Sequence, residues 1–313
     1  MAQPSQPHLV RGAARVTHCS LKSRMERGLA FGRAALNNAL VTFKSTQAIE
    51  SQARRQRRPR VIAIGASNLT RWLPMLVRAA AAQAAGPVEV VAVAGFGRSY
   101  GVRSSFFGRE LPGIKSCGVW EALAQAERSP GLSEVSTGIV TDVGNDIFYG
   151  VEVETVLSWV EHAMSALRPQ VNRLVLTGLP ASVAFIGPTR FAIMRRLLVP
   201  SCRLQHGEGL RRAEEVNRGL AALAKKYDAV TFQGARGWYG WDRIHLKRRY
   251  WRPFIERLLG VERVGGQAPA PLPRLPRPGL RAAAPESRRL FGGMRSIKQP
   301  SVCLSDGTTV ALY

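Results

Sequence analysis

The chain has few cysteines, few acidic residues and no long apolar run. Its four cysteines, at positions 19, 117, 202 and 303, lie far apart, so neither a disulfide framework nor a zinc site is indicated. No run approaches the ~20 apolar residues that cross a bilayer, and the amino terminus lacks the charged-then-apolar order of a secretory signal. These absences predict free thiols in a reducing compartment and a cytoplasmic protein with no membrane span and no metal.

Basic residues outnumber acidic ones by 45 to 21, which gives a formal net charge of +24. Residues 1–60 hold 12 Lys and Arg against 2 acids, and residues 261–313 hold 8 against 3. The first segment ends in a run of arginines and the last is rich in proline, so neither buries enough apolar surface to offset chain entropy. We predict largely disordered extensions at 1–59 and 261–313 around one folded domain at 60–260.

Short β-branched runs alternate with helical segments across that domain. This order is typical of a parallel sheet covered on both faces, a three-layer α/β/α, doubly wound, flavodoxin-like fold. The five predicted strands are Arg60–Ile64, Val88–Ala94, Thr137–Val143, Arg173–Gly178 and Ala229–Phe232. The predicted helices are Leu69–Ala85, Val119–Arg128, Val153–Leu167, Glu208–Lys226 and Leu246–Leu259.

Polar motifs follow four of these strands. In doubly wound sheets ligands bind at the carboxyl ends of the strands, so segments that follow different strands meet at one edge. Ser67 follows the first strand, the glycine run at 95–101 the second, Gly144-Asn145-Asp146 the third, and Asp242-Arg243-Ile244-His245 the fifth. We therefore expect these motifs to form one site.

Ser67, His245 and Asp242 are the residue types of a nucleophilic triad. A serine hydroxyl is a weak nucleophile unless an imidazole takes its proton, and the imidazole works best when a carboxylate fixes its tautomer. Of the five histidines, only His245 has an acid at short spacing beside a strand-end loop. The pattern predicts a serine hydrolase without a cofactor.

These four motifs, or blocks, occur in the same order as in the SGNH hydrolases, also called the GDSL esterase/lipase superfamily. The chain resembles that superfamily over roughly residues 60–260. The resemblance implies that Ser67 is the nucleophile and that Asp242 and His245 complete the triad. It also implies an oxyanion hole formed by the N–H groups of Ser67 and Gly97 and the side chain of Asn145. Ala66 stands where the family usually has aspartate, and Asn68 stands where it usually has leucine.

Several motifs also have simpler interpretations. Ser67 and Asn68 could cap a helix, Asn145-Asp146 could form a turn, and Asp242 with His245 could be a structural ion pair. The glycine run has the spacing GxGxxxG and no helix follows it, which argues against a dinucleotide site. Gly95 and Gly101 are alternatives to Gly97 as the oxyanion donor.

Two long segments beside the predicted site also allow two interpretations each. Residues 102–118 are either a substrate-covering loop or a surface excursion packed by two phenylalanines. Residues 180–204 are either a wall of the site or a helix packed into the core. The expected substrate is a small-molecule or carbohydrate ester, and it would be anionic if the arginines and lysine on the strand-end loops attract it; these are Arg98, Arg103, Arg109, Arg236, Arg243 and Lys247.

Two rival functions remain at this point. The basic extensions favour a binder of nucleic acid or of an acidic partner, which salt would weaken. The departures at Ala66 and Asn68 leave open a catalytically inactive SGNH-like binding domain. The acyl group, the alcohol or sugar, and the oligomeric state have no signature in the sequence.

Overall fold

A computed structural model describes residues 58–127, 135–261, 272 and 283–313. The five predicted strands are present, each within three residues of the expected bounds. They are β1 (Arg60–Ile64), β2 (Glu89–Val93), β5 (Ser136–Val140), β6 (Arg173–Thr177) and β7 (Val230–Phe232). Two short strands lie between β2 and β5, β3 (Ser104–Phe106) and β4 (Arg109–Leu111), and four follow β7: β8 (Ser287–Leu290), β9 (Gly293–Ser296), β10 (Val302–Cys303) and β11 (Thr309–Leu312).

The main sheet runs in the order β10-β11-β2-β1-β5-β6-β7, and all its pairs are parallel except β10 with β11. The five strands from β2 to β7 have the flavodoxin-like order of a doubly wound sheet. The α/β fold class is thus confirmed, but the sheet has seven strands instead of five. A second sheet of four antiparallel strands runs β3-β4-β8-β9.

Helices cover both faces of the main sheet. In chain order they are α1 (Ser67–Gln83), α2 (Val119–Glu127), α3 (Asn145–Phe148), α4 (Val153–Leu167), α5 (Pro188–Leu198), α6 (His206–Lys226) and α7 (Trp251–Leu259). α1 and α7 bury their apolar sides against one face, while α2, α4 and α6 cover the other. Side chains alternate along each strand, so Ile62 and Val61 point into opposite cores.

The prediction that residues 261–313 are largely disordered is wrong for residues 283–313. β11 pairs with the edge of β2 in parallel, and Val310 and Leu312 pack into the same core as α1 and α7. Strands of two to four residues are too short to stand out against the proline-rich composition around them. The predicted extension at 1–59 lies outside the described residues except for its last two.

One predicted helix is shorter than expected, and the two long segments contain elements of their own. The last helix begins at Trp251 instead of Leu246, because Leu246 bridges to Tyr239 and its N–H is bonded to the side chain of Asn68. Residues 102–118 contain β3, β4 and a short 3-10 turn. Residues 180–204 contain α5, whose Phe191 is buried.

A substitution in β11 tests whether the carboxyl-terminal segment belongs to the fold. Val310 is fully buried, so Val310→Asp places a charge without a partner in the core and should lower the free energy of unfolding by about 3 kcal/mol or more. Urea unfolding measures the change. Ser305→Asp, at an exposed position of the same segment, is the control. Equal stability of the two variants would contradict the role of β11.

Candidate active site

Ser67 lies at the carboxyl end of β1, where the chain turns into α1. It is the first residue of that helix and is largely buried. Its Oγ lies 2.9 Å from Nε2 of His245, a residue 178 positions further along the chain. A proton can therefore pass directly from the hydroxyl to the imidazole.

The loop before α7 carries both His245 and Asp242. Nδ1 of His245 lies 2.6 Å from Oδ2 of Asp242, and the other carboxylate oxygen accepts the backbone N–H groups of Ile244 and His245 at 3.1 and 2.9 Å. Partial burial raises the pKa of Asp242, but the hydrogen bonds from the ring and backbone of His245 outweigh it and lower the pKa below its ordinary value. The carboxylate thus stays ionised and holds the histidine in one orientation.

A carboxylate that was not among the predicted site residues lies under the nucleophile. Asp142, two residues after β5, accepts hydrogen bonds from the backbone N–H groups of Ala66 at 3.0 Å and Leu69 at 3.1 Å. It therefore caps α1 from another segment of the chain, and its charge is favourable at the positive end of the helix. Asp142 has φ +60°, a conformation that aspartate adopts more readily than most residues.

Asn68 connects the nucleophile helix to the histidine loop. Its Nδ2 donates to Oδ1 of Asp142 and to the main-chain oxygen of Ile244, both at 3.0 Å, and its Oδ1 accepts the N–H of Leu246 at 3.0 Å. The two backbone bonds bracket His245 on either side. Neither Ser67 nor Asn68 caps the helix with its side chain. The hydroxyl of Ser67 faces His245, and the amide of Asn68 bonds to the loop that carries His245.

The predicted oxyanion residues approach each other from two loops. Nδ2 of Asn145 donates to the main-chain oxygen of Arg98 at 3.0 Å, and the hydroxyl of Tyr149 donates to the main-chain oxygen of Gly97 at 2.9 Å. Asn145 also lines the cavity beside Ser67. Gly97 has φ +66°, which favours glycine at this position.

The alternative glycines have other surroundings. The N–H of Gly101 donates to Oγ of Ser99 at 3.1 Å, and a Cβ at Gly101 would lie 2.3 Å from the ring of Trp159. A Cβ at Gly95 would lie 2.3 Å from the side chain of Leu111. Close packing therefore explains why these two positions are glycine.

Asp146 fixes the loop that carries Gly97. Its carboxylate is buried and accepts the hydroxyl of Ser99 and the N–H of Tyr100, the latter at 3.0 Å. Burial raises the pKa of Asp146 to about 6, although these hydrogen bonds oppose the rise. Asp146 thus connects the motif at 144–146 to the loop at 95–101.

Apolar side chains form most of the cavity next to Ser67. It is lined by Ile147, Phe148, Leu179, Pro180, Val183, Ile186, Phe191, Leu210, Ala213 and Ile244, together with Ser67, Asn68, Asp142, Gly144, Asn145 and Gly209. Phe191 comes from α5 and Leu210 from α6, so residues 180–204 are both a helix and a wall of the site. Such a cavity can take an apolar chain with its polar end at the serine.

The cations predicted at this edge of the sheet differ in their burial and in their contacts. Arg98 is fully buried, where it donates to the main-chain oxygens of Ala94, Pro112 and Tyr313, and burial lowers its pKa to about 10. Arg98 is therefore a structural residue that no substrate reaches. Lys247 donates to a main-chain oxygen at 3.0 Å, and Arg236 lies over the ring of Phe185.

No group of three or more His, Cys, Asp or Glu within residues 58–127, 135–261 and 283–313 is arranged to hold a metal ion. In the same part of the chain, no helix is both long enough and apolar enough to cross a membrane. His162 and His206 have ring contacts with Trp120 and Phe191.

No protein-family model and no curated protein matches the chain. Solved structures that are similar to it include TesA, at 14% identity and TM-score 0.39, covering 64% of this chain and 96% of TesA. They also include the esterase EstA from Pseudoalteromonas sp. inhibited by monoethylphosphonate (12%, 0.38, 64% and 94%) and AlinE4, an SGNH-hydrolase family esterase (13%, 0.36, 64% and 93%). Of these, AlinE4 belongs to the superfamily that the four blocks resemble.

Asn68 offers a test of the connection between α1 and the histidine loop. Asn68→Leu removes three hydrogen bonds and leaves the part-buried backbone groups of Ile244 and Leu246 without the partners that Asn68 supplies, so His245 should lose its fixed position. We expect the rate at which a fluorophosphonate modifies Ser67 to fall about 10- to 100-fold, with a smaller change in melting temperature. Arg71→Leu, at an exposed position of the same helix, is the control. An unchanged rate would show that the bonds of Asn68 do not position the histidine.

Proposed function

We propose that this chain is an SGNH/GDSL-type serine hydrolase that cleaves a carboxylic ester. The observation that carries the proposal is the unbroken chain of hydrogen bonds from Ser67 through His245 to Asp242. A serine, an imidazole and an ionised carboxylate in this arrangement are the parts that acyl transfer requires. The cavity at the serine supplies a place for the substrate.

The reaction begins when Oγ of Ser67 attacks the ester carbonyl while Nε2 of His245 takes its proton. Negative charge then collects on the carbonyl oxygen, and the N–H groups of Ser67 and Gly97 with Nδ2 of Asn145 are the proposed donors to it. The hydrogen bond of Asn145 to the oxygen of Arg98 orients its amide before substrate binds. Loss of one such donor typically slows the reaction by about 10²–10³.

The imidazolium next gives its proton to the leaving alcohol, and the acyl group stays on Ser67. A water molecule, activated by the same His245, attacks this acyl-enzyme and releases the acid. Asp242 stabilises the imidazolium in both halves of the cycle. Asp142 and Asn68 touch no reacting atom in this scheme and act as positioning residues.

The apolar lining points to an acyl chain longer than acetyl. A chain that leaves Ser67 into this cavity would have Ile147, Phe148, Phe191 and Leu210 among the side chains that line it. Each buried methylene contributes about 0.8 kcal/mol. An anionic acyl group would find no cation among the side chains that line the cavity, so we place any negative charge of the substrate on the leaving-group side.

Ser67→Ala tests the nucleophile. This variant should lose labelling by a fluorophosphonate probe, and its turnover of p-nitrophenyl esters should fall by a factor of about 10³ or more. Ser158→Ala makes the same chemical change on the exposed side of α4 and should leave both readouts unchanged. Labelling that persists in Ser67→Ala would refute the proposed nucleophile.

The acyl specificity is tested with p-nitrophenyl esters of two to ten carbons. We expect kcat/KM to rise about tenfold for each two methylenes until the cavity is filled. Leu210→Trp narrows the cavity and should lower kcat/KM for the octanoyl ester more than for the acetyl ester. A second variant, Leu210→Ala, should shift the optimum to longer chains. A preference for acetyl in all three proteins would contradict this choice of substrate.

A further inference from the structure

The small sheet ends in two hairpin tips of the same kind. β3 and β4 are joined by Phe107-Gly108, and β8 and β9 by Phe291-Gly292. In both tips the two loop residues have positive φ, +48° and +72° in the first and +46° and +86° in the second. Two-residue turns of this form favour asparagine or glycine at the first position, and a bulky residue is uncommon there. Backbone preference therefore does not account for either phenylalanine.

Core packing does not account for them either. Phe107 is 87% exposed and Phe291 89% exposed, and Met294 on β9 is 59% exposed. Large apolar side chains with this exposure, placed side by side, mark a surface that binds a partner.

Four neighbouring phenylalanines form a surface that we call the aromatic ridge: the exposed Phe96, Phe107 and Phe291 and the half-buried Phe106. The rings of Phe96 and Phe106 stack at 5.8 Å, and Phe106 meets Phe107 edge-on at 4.6 Å. The ring of Phe291 lies over Gly108, where a Cβ would come within 2.6 Å of it. The two hairpin tips therefore present their rings together.

Basic residues are frequent in the segments that carry the ridge. Residues 103–110 and 286–298 contain six Arg and Lys against two Glu. Arg103, Arg289, Arg295 and Lys298 are exposed. Arg289 lies 3.7 Å from Glu110, and burial together with the charge of Arg288 lowers the pKa of Arg109. The surface thus combines protruding apolar rings with a positive border.

We propose that the aromatic ridge docks on a lipid bilayer that bears anionic headgroups. The rings of Phe107 and Phe291 enter the boundary between headgroups and acyl chains, and the surrounding arginines and lysine bind the lipid phosphates. Apolar burial and attraction to anionic lipid are the two contributions that hold peripheral proteins at a membrane surface. A phosphate-bearing surface satisfies the cations and the rings at once, whereas base stacking would need the rings apart from one another.

The ridge lies beside the candidate active site. Phe96 precedes Gly97 directly, and a Cβ at Gly95 would touch Leu111 of β4, so the small sheet packs on the loop of the second block. Docking would bring the serine edge of the main sheet near the bilayer. The docking surface stands on its own contacts, however, and does not depend on the hydrolase activity.

Sedimentation of the full chain with vesicles tests the proposal. The protein should bind vesicles of phosphatidylcholine with 30% phosphatidylglycerol and not phosphatidylcholine alone. The double variant Phe107→Ser/Phe291→Ser should bind the anionic vesicles at least tenfold more weakly, although it keeps every charge of the chain. Leu197→Ser, an exposed apolar residue of α5, should bind as the original protein does.

A second variant separates docking from misfolding. Phe107→Trp/Phe291→Trp keeps large apolar rings at the tips and should retain vesicle binding, with a blue shift of tryptophan emission when vesicles are added. Equal binding by the serine and original proteins would overturn the proposal, since charge alone would then explain it. A dimer that dissociates in the serine variant, without vesicle binding by the original protein, would assign the ridge to a second copy of the chain instead. Loss of binding to an RNA oligonucleotide, with no lipid binding, would likewise overturn it.

Discussion

The carboxylate of Asp142 is the group on which the arrangement of the site depends. It lies at the end of β5 and accepts hydrogen bonds from the start of α1 and from Asn68. Because Asn68 also holds the loop around His245, the side chains of Asp142 and Asn68 together join the sheet, the nucleophile and the base. Three donors from residues 66–69 bind the two oxygens of this carboxylate.

These hydrogen bonds explain how Ala66 and Asn68 fit beside Ser67 in the first block. Ala66 has no side chain that could bond to the loops, and a carboxylate reaches its N–H from Asp142 instead. Asn68 has both a donor and an acceptor where leucine has neither, and it uses both. The residues that depart from the superfamily pattern therefore belong to one network, and they leave Ser67 facing His245.

The sequence predicted the parts of the fold that repeat along the chain. β1, β2, β5, β6 and β7 are short apolar runs separated by amphipathic helices, and the rule that ligands bind at the carboxyl ends of strands placed Ser67, Asn145 and His245 at one edge. Asp142 lies two residues after β5, but the predicted third strand ran to Val143 and so included it. It was missed because its partners are backbone N–H groups 73 and 76 residues away, and no local spacing records such a contact. β11 was missed because its pairing with β2 depends on residues some 220 positions apart.

The buried guanidinium of Arg98 has a consequence for the order of folding. Two of its acceptors, the main-chain oxygens of Ala94 and Pro112, lie 4 and 14 residues from Arg98 in the chain. The third acceptor is the main-chain oxygen of Tyr313, 215 residues away. The main-chain oxygen of Arg98 in turn orients Asn145. On a ribosome, the loop that carries Gly97 and Arg98 is thus made some two hundred residues before the strand that completes its surroundings. The nascent chain can form its central strands early, but Arg98 gains its third acceptor only after Tyr313 has been synthesised.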